Sequence, residues 1–373
     1  MGRTHYICCL SISMKKSSMK KHNFGAGPSI LPQEVFEQSA QACLEYNGIG
    51  LSLLEISHRS KEFEAILDET LTLTRELLQI PDNYKVLLMQ GGANMQFAMV
   101  PYNLLNENET ASYLDTGVWA AKAEEEARLY GKTHIVASSK PDAYRYIPKI
   151  FEVPKDSVYL HVTSNNTIYG TEFFEDKSYD VPVVADMSSD IFSRPVDVSR
   201  YGLIYAGAQK NLGSAGITMV IIREDLIGRS ARAKSKMWDY GIYAKNNSLY
   251  NTPPVFAIYT CLLTLRWLKK LGGLTAMEKR NKAKAELLYA EIDRNPLFKG
   301  HAVAEDRSRM NINFVPVHPE DEAAFLEFVK PYHIHGIKGY RTVGGFRASC
   351  YNALPIESVQ VLVQAMQDFE KTK

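Results

Sequence analysis

Ile204-Tyr205-Ala206-Gly207-Ala208-Gln209-Lys210-Asn211-Leu212-Gly213 sets an apolar run against a loop of small and polar residues. Gly202 to Ala206 reads as a buried strand that delivers a single lysine to its end. Gly207, Gly213 and Gly216 let backbone pass close to whatever Lys210 holds. A lysine at the end of a buried strand is poorly solvated. Burial disfavours its ammonium form and lowers its pKa, which suits it to form a Schiff base. The plainer reading is a surface lysine in a turn, and the preceding strand argues against that. Val181-Pro182-Val183-Val184-Ala185-Asp186 is apolar, ends in a carboxylate and is followed by Met187-Ser188-Ser189.

An aspartate at one strand end and a lysine at the next form the pattern of pyridoxal-phosphate enzymes. There the acid pairs with the pyridinium nitrogen and the lysine holds the aldehyde.

The surrounding chain has the build such a site needs. Lys85 to Gln90, Ala111 to Asp115, Thr133 to Ala137, Val158 to Thr163, Val181 to Asp186, Leu203 to Ala206 and Ile217 to Ile222 are short apolar runs separated by helical stretches. This pattern predicts an α/β domain with a mostly parallel seven-stranded sheet buried on both faces. Ile217 to Ile222 follows after so short a loop that it reads as an antiparallel member. Upstream, Pro32 opens a helix running to about Tyr46. Ser60 caps another that carries Phe63, Ile66, Leu67, Thr70, Thr74, Leu77 and Leu78 on one face. Gly91 to Asn94 turns into a helix through Met99, and Val255 to Leu271 forms a long helix that Gly272-Gly273 breaks. Beyond Pro296 the order of elements becomes α+β. We therefore divide the chain into a disordered extension at 1–18, a large domain at 19–271 and a small C-terminal domain at 272–373.

At 373 residues the chain can bury a large core, and 45% apolar with 23% charged residues is ordinary for a globular protein. A formal net charge of +1 gives no support to a nucleic-acid or membrane-surface partner. No apolar run approaches the length of a membrane span. Cys8, Cys9, Cys43, Cys261 and Cys350 are scattered, so they make neither a metal spacing nor a disulfide framework, and a reducing cytoplasm fits them best.

Several other stretches sit at strand ends. Gly91-Gly92-Ala93-Asn94-Met95-Gln96 places glycines before a helix N-terminus, which makes either a plain turn or an anion site. It lacks the third glycine of a dinucleotide fingerprint, and no G-K-[ST] phosphate loop occurs. Trp119, in Thr116-Gly117-Val118-Trp119, is either a core residue or a platform for a planar ring. Ser164 to Gly170 is either a turn or a set of donors for a phenolic oxygen. Arg341-Thr342-Val343-Gly344-Gly345-Phe346-Arg347 brackets a flexible Gly-Gly with two arginines, the residue suited to bidentate carboxylate or phosphate recognition. His58-Arg59 is a second cationic pair. Together these cations point to a doubly anionic substrate.

These motifs, with Asn23-Phe-Gly-Ala-Gly-Pro28 and Asn251-Thr-Pro-Pro254, resemble the phosphoserine aminotransferase family, class V aminotransferases of fold-type I. The resemblance covers about residues 22 to 370. It implies that Lys210 forms the Schiff base and moves the proton at substrate Cα, while Asp186 holds the ring nitrogen protonated. It implies that Trp119 stacks on the ring, that Thr167 bonds the ring oxygen, and that Ala93, Asn94 and Gln209 bind the cofactor phosphate. Asn251 and Thr252 reach that phosphate from the other subunit of a homodimer. Arg347 takes the α-carboxylate, and His58, Arg59 and Arg341 take the distal phosphate or the γ-carboxylate. Tyr340 stands where the family often has histidine, so it offers a hydrogen bond without a charge. The substrates implied are L-glutamate and 3-phosphohydroxypyruvate, with the phosphorylated hydroxy-oxobutanoate of vitamin B6 synthesis as a second keto acid. No metal is implied. Competing readings are a serine–glyoxylate aminotransferase, a cysteine desulfurase (which needs a mobile nucleophilic cysteine) and a non-catalytic cofactor-binding protein.

Overall fold

The strands read from short apolar runs assemble into one sheet in the computed structural model, which describes residues 20–174, 178–232 and 235–373. The extension expected at 1–18 lies outside the described residues. The sheet comprises β1 (Tyr84–Gln90), β2 (Thr110–Asp115), β3 (Lys132–Ser138), β4 (Ser157–Thr163), β5 (Val183–Asp186), β6 (Leu203–Gly207) and β7 (Ile217–Arg223). They are hydrogen-bonded in the order β1-β7-β6-β5-β4-β2-β3. The pairs from β6 through β5, β4 and β2 to β3 are parallel. β7 runs antiparallel to both β6 and β1. The loop before it, 208–216, is too short for the crossover a parallel return needs, so the chain doubles back.

The period-2 alternation of these strands divides the core into two layers. Leu160, Val162, Val183, Ala185, Ile204, Ala206, Met219 and Ile221 face α1 (Gln33–Leu44), α2 (Lys61–Leu78) and α5 (Val255–Lys270). Tyr159, Val184, Leu203, Tyr205, Val220 and Ile222 face α3 (Ala93–Leu104) and α4 (Val118–Ala127). Asp186, two residues after Val184, therefore points into the α3–α4 layer. Ser60 caps α2 by accepting from the Phe63 amide at 3.3 Å, and Phe63, Ile66, Leu67, Thr70, Thr74 and Leu78 are buried as the periodicity requires. Leu77 is only half-buried. α3 runs past the expected end at Met99 to Leu104, with Pro101 inside it. Proline removes one backbone bond near the helix end, while Val100 and Leu104 go on burying their side chains.

The C-terminal part holds β8 (Phe298–Gly300), β9 (Asn311–Pro316) and β10 (Phe346–Ser349), an antiparallel sheet in that order. α6 (Gly273–Arg294), α7 (Asp321–Phe328) and α8 (Ile356–Glu370) complete it. Rings of Phe298, Phe314, Phe325, Phe346 and Phe369 interlock in its core. The cut drawn at residue 272 falls on Gly272 and Gly273, both at positive φ. Two segments cross it. α6 starts in the first core with Leu274 and Met277 and ends in the second with Leu288 and Ile292. Residues His22–Asn23 pair in parallel with Ile334–His335, and Phe24 and Ile30 join the second core. A short segment that cannot bury its own apolar side chains takes whichever open edge lies nearest.

Candidate active site

Parallel strands aim their carboxyl ends at one rim, and the candidate site lies where β5 and β6 end. Asp186 closes β5 and Tyr205 is its partner in register on β6. After Gly207 the chain turns through Ala208 and Gln209 to Lys210. The Ser29 amide donates to the Gln209 carbonyl at 2.9 Å, and the Ser29 hydroxyl donates to the Lys210 carbonyl. The entry segment thus clamps the backbone on both sides of the lysine. A methyl group at Gly207 would sit 2.8 Å from the end of the Gln209 side chain and 3.5 Å from the Ala93 amide, so Gly207 leaves that side chain its present position beside α3.

A cavity of about 390 Å³ opens over this turn. Gly92, Ala93, Asn94, Phe97 and Trp119 form one wall; Asp186, Ser188, Gln209 and Lys210 form the other. The Lys210 ammonium donates to the Thr167 hydroxyl at 2.7 Å and lies 6.0 Å from the Trp119 ring centroid. Desolvation pushes the Lys210 amine down to about 8, against the opposing pull of Asp186. Burial raises the Asp186 carboxyl, and Lys210 and the Ser188 bonds hold it back. The Ser188 amide donates to Asp186 Oδ1 at 2.9 Å. Opposite them, α3 begins at Gly92, a cap without a side chain to accept from the first turn. Amides at such an end attract an anion.

Arg347 stands on β10, opposite Asn313 on β9. Its Nε is buried without a partner, and its charge is felt at Lys210. Tyr340 and Val343 pack against Tyr144, Ile168 and Tyr169, the same cluster that Trp119 packs against, so the loop between β9 and β10 shares a support with Trp119. Arg341, on the same loop, is exposed. His58 and Arg59 lie in the turn before α2 and are not among the residues lining the cavity. Nor are Asn251 and Thr252: the Asn251 side chain accepts from the Tyr243 hydroxyl at 3.0 Å, and the Thr252 carbonyl accepts from Gln90. Cys350 is fully buried, with its thiol pushed up to about 12 by burial, which leaves it inert. Among the described residues no three His, Cys, Asp or Glu side chains gather as around a metal ion, and no helix is long and apolar enough to cross a membrane.

Sequence reasoning missed two groups. Tyr351 donates its hydroxyl to the Ala26 carbonyl at 2.9 Å and accepts from Asn311 at 3.2 Å, beside Thr167 and Arg347. Tyr205 and His161, behind Asp186, share a bond of 2.9 Å. Nothing in their local sequence marks them. Strand register alone places Tyr205 beside Asp186.

The residues fit pyridoxal phosphate. The cavity sets together a carboxylate at Asp186, a flat ring at Trp119, an amine with a depressed pKa at Lys210 and the glycine-capped start of α3, groups that could hold the cofactor's ring nitrogen, ring face, aldehyde and phosphate. The buried Trp119 Nε1, Asn166 Oδ1 and Arg347 Nε lack partners, which is what a site built around a polar guest leaves open.

The aminotransferase class-V family model matches residues 21–362. A phosphoserine aminotransferase of Flavobacterium johnsoniae is 57% identical over 353 residues, covering 94% of this chain and 99% of that protein. The solved phosphoserine aminotransferase from Bacillus circulans subsp. alkalophilus superposes with a TM-score of 0.93 at 45% identity, covering 95% of this chain and 99% of that one. The phosphoserine aminotransferase from Trichomonas vaginalis, solved with pyridoxal phosphate bound, gives a TM-score of 0.90 at 38% identity, covering 93% and 100%.

Proposed function

The chain belongs to the aminotransferase class-V family, and from that premise we infer that it is a pyridoxal-phosphate-dependent transaminase acting in serine biosynthesis. It exchanges the amino group of L-glutamate with the keto group of 3-phosphohydroxypyruvate, giving 2-oxoglutarate and O-phospho-L-serine. The observation that carries this reading is the single cavity that joins Lys210, Asp186 and the glycine-capped start of α3, in a chain whose relatives bear the phosphoserine aminotransferase name.

When bound, pyridoxal phosphate supplies a carbonyl that captures amines and a ring that accepts the electrons left at substrate Cα. The chain does the rest. Lys210, freed by the incoming amine, takes the proton from Cα, and an amine near 8 is matched to that exchange at neutral pH. Asp186 keeps the ring nitrogen protonated. Trp119 shields one ring face from water, and Thr167, which accepts from Lys210, is placed for the ring oxygen. Ala93, Asn94 and Gln209 take the cofactor phosphate at the α3 N-terminus. Arg347 takes the α-carboxylate, which satisfies its idle Nε. Arg341, with Tyr340 as a neutral donor, takes the distal phosphate.

The active unit in this reading is a homodimer. Leu44, Leu51 and Leu54, in the stretch of sequence before His58 and Arg59, are exposed, and in this reading a second copy covers them. That places His58, Arg59, Asn251 and Thr252 at the neighbouring subunit's site, consistent with their absence from the cavity of their own chain. Free thiols at Cys43, Cys261 and Cys350 favour a reducing cytoplasm. The division at 272 separates the part that holds Lys210 and Asp186 from the part that carries Arg341 and Arg347.

The test is a panel of keto acids with glutamate as donor. 3-Phosphohydroxypyruvate should be used far better than pyruvate or glyoxylate. Arg341→Ala should weaken phosphorylated substrates and leave plain ones little changed. Arg347→Ala should weaken phosphorylated and plain substrates alike. Equal use of glyoxylate and the phosphorylated acid would remove the phosphate pocket.

A further inference from the structure

Beneath Asp186 the α3–α4 face of the sheet carries a row of polar aromatic side chains. Tyr205 is the register partner of Asp186 on β6, and its hydroxyl is among the groups that hold the Asp186 carboxyl down against the effect of burial. The same hydroxyl lies 2.9 Å from His161 Nε2 on β4. Tyr205 and His161 are buried at 0% and 2% exposure. The Tyr113 ring stacks on the imidazole at 5.1 Å, and Tyr113 is in turn held by a hydroxyl–hydroxyl bond of 2.7 Å to Tyr159. Neither Tyr205 nor His161 lines the cavity, so neither touches substrate.

Counting protons fixes the direction of this chain. A phenol has one hydrogen to give, and Tyr205 has two neighbours that could accept it. The carboxylate is the stronger acceptor, because a hydrogen bond to an ionised oxygen is about twice as strong as one between neutral groups. With its hydrogen given to Asp186, Tyr205 can only accept from the imidazole. His161 must then carry its proton on Nε2 and leave Nδ1 bare. The buried Nδ1 has no partner. A bare nitrogen tolerates that better than a buried N–H would. Burial also pushes the imidazole down to about 3, so His161 stays neutral and does not acquire a second proton.

We propose that His161 and Tyr205 are positioning residues for the transamination: a fixed two-step donor chain, His161 Nε2–H to Tyr205 Oη–H to Asp186, that holds the carboxylate ionised and aimed at the cofactor ring nitrogen. No proton enters or leaves the chain during turnover; each hydrogen stays on its own atom. The inference rests on the reading of Asp186 as the ring partner.

The test uses the full-length protein with and without pyridoxal phosphate. Nitrogen NMR of ¹⁵N-histidine-labelled protein, with His161 assigned by loss of its signals in His161→Gln, should show a protonated Nε2 and a bare Nδ1. This should hold in both forms and stay unchanged between about pH 5 and 9, a range in which an ordinary histidine near 6.5 would titrate. Tyr205→Phe should slow the glutamate half-reaction about tenfold or more, as expected for one lost bond to a charged group, while leaving the KM for glutamate little changed. His161→Phe should slow it less than Tyr205→Phe. His161→Gln, whose amide N–H can replace Nε2–H, should recover most of the loss. A proton on Nδ1 in the wild-type protein overturns the proposal whether or not the variants fold. So does a wild-type rate in Tyr205→Phe when Asp186→Asn is slow. A wild-type rate in Asp186→Asn overturns the reading of the site itself, and the chain with it.

Discussion

Among the described residues two lysine amines are depressed by burial, and they differ in what surrounds them. Lys210 follows β6 at the floor of the cavity, with Asp186 as its anion and the Thr167 hydroxyl accepting at 2.7 Å. Lys284 sits inside α6 at 2% exposure. Its ammonium donates to the carbonyls of Cys350 and Tyr351 at 2.9 and 2.7 Å. Desolvation pushes both amines down to about 8, so a depressed pKa does not by itself make a nucleophile. Lys210 has free space before it and gives up one neutral acceptor when it reacts. Lys284 is committed to two main-chain carbonyls, of which, among the described residues, only that of Tyr351 also accepts from a backbone amide, that of Leu354 at 2.9 Å, and it ties the end of β10 to α6. One lysine is held ready to react, and the other is a strut.

The largest effect should come from Lys210→Ala. It should cut transamination by several orders of magnitude and abolish the visible absorbance of bound cofactor, with the melting temperature close to wild type. Losing a covalent catalyst costs that much. Turnover within about tenfold of wild type would erase the distinction between the two lysines.

Lys284→Met should do the reverse. It leaves the buried Cys350 carbonyl without its Lys284 donor, at about 1–3 kcal/mol, so denaturant unfolding should show a loss of roughly that size while kcat per folded molecule holds. A full-stability variant would mean that water replaces the ammonium.

The pH dependence of cofactor capture should be about five- to sixfold between pH 7 and 8. Only the neutral Lys210 amine attacks the aldehyde, and with its pKa near 8 the neutral fraction rises from about one-tenth at pH 7 to about one-half at pH 8. Stopped-flow mixing of pyridoxal phosphate with cofactor-free protein reads this rate. The sign for stability follows the same shift. The folded amine sits below the ordinary lysine value of 10.5, so folding releases a proton between about pH 8 and 10.5. Each such lysine therefore costs less stability as pH rises through that window. A capture rate that is flat from pH 7 to 8 would place the Lys210 amine outside the range its burial dictates.

The smallest effect should come from Thr167→Val. It removes the hydroxyl that accepts from the Lys210 ammonium, a bond worth about 0.5–1.5 kcal/mol. The charged form loses support, so the midpoint of the capture profile should move down by roughly 0.4–1 pH unit, since one unit is about 1.4 kcal/mol. An upward move would show that Thr167 donates to the amine instead.

Much of this fold was legible because buried strands must be apolar and short. The seven runs from Lys85 to Ile222 fall on the seven strands of the sheet, and even the reversal of β7 followed from the length of one loop. Helix ends were less legible. The helix read through Met99 continues as α3 past Pro101 to Leu104, because the residues beyond still bury their side chains. Residues 22–30, grouped above with the large domain, carry no periodicity, and the edge that His22–Asn23 join at Ile334–His335 lies far along the chain.

By itself the sequence determined the elements, the family and the chemistry carried by local motifs, because apolar periodicity, glycine placement and strand-end charge are properties of neighbouring residues. Only the tertiary structure decided which lysine is free to react, which strands put Tyr205 and His161 behind Asp186, and that His58, Arg59, Asn251 and Thr252 stand outside their own chain's cavity. Those outcomes depend on register, burial and the directions of hydrogen bonds between residues far apart in sequence. No local pattern encodes them.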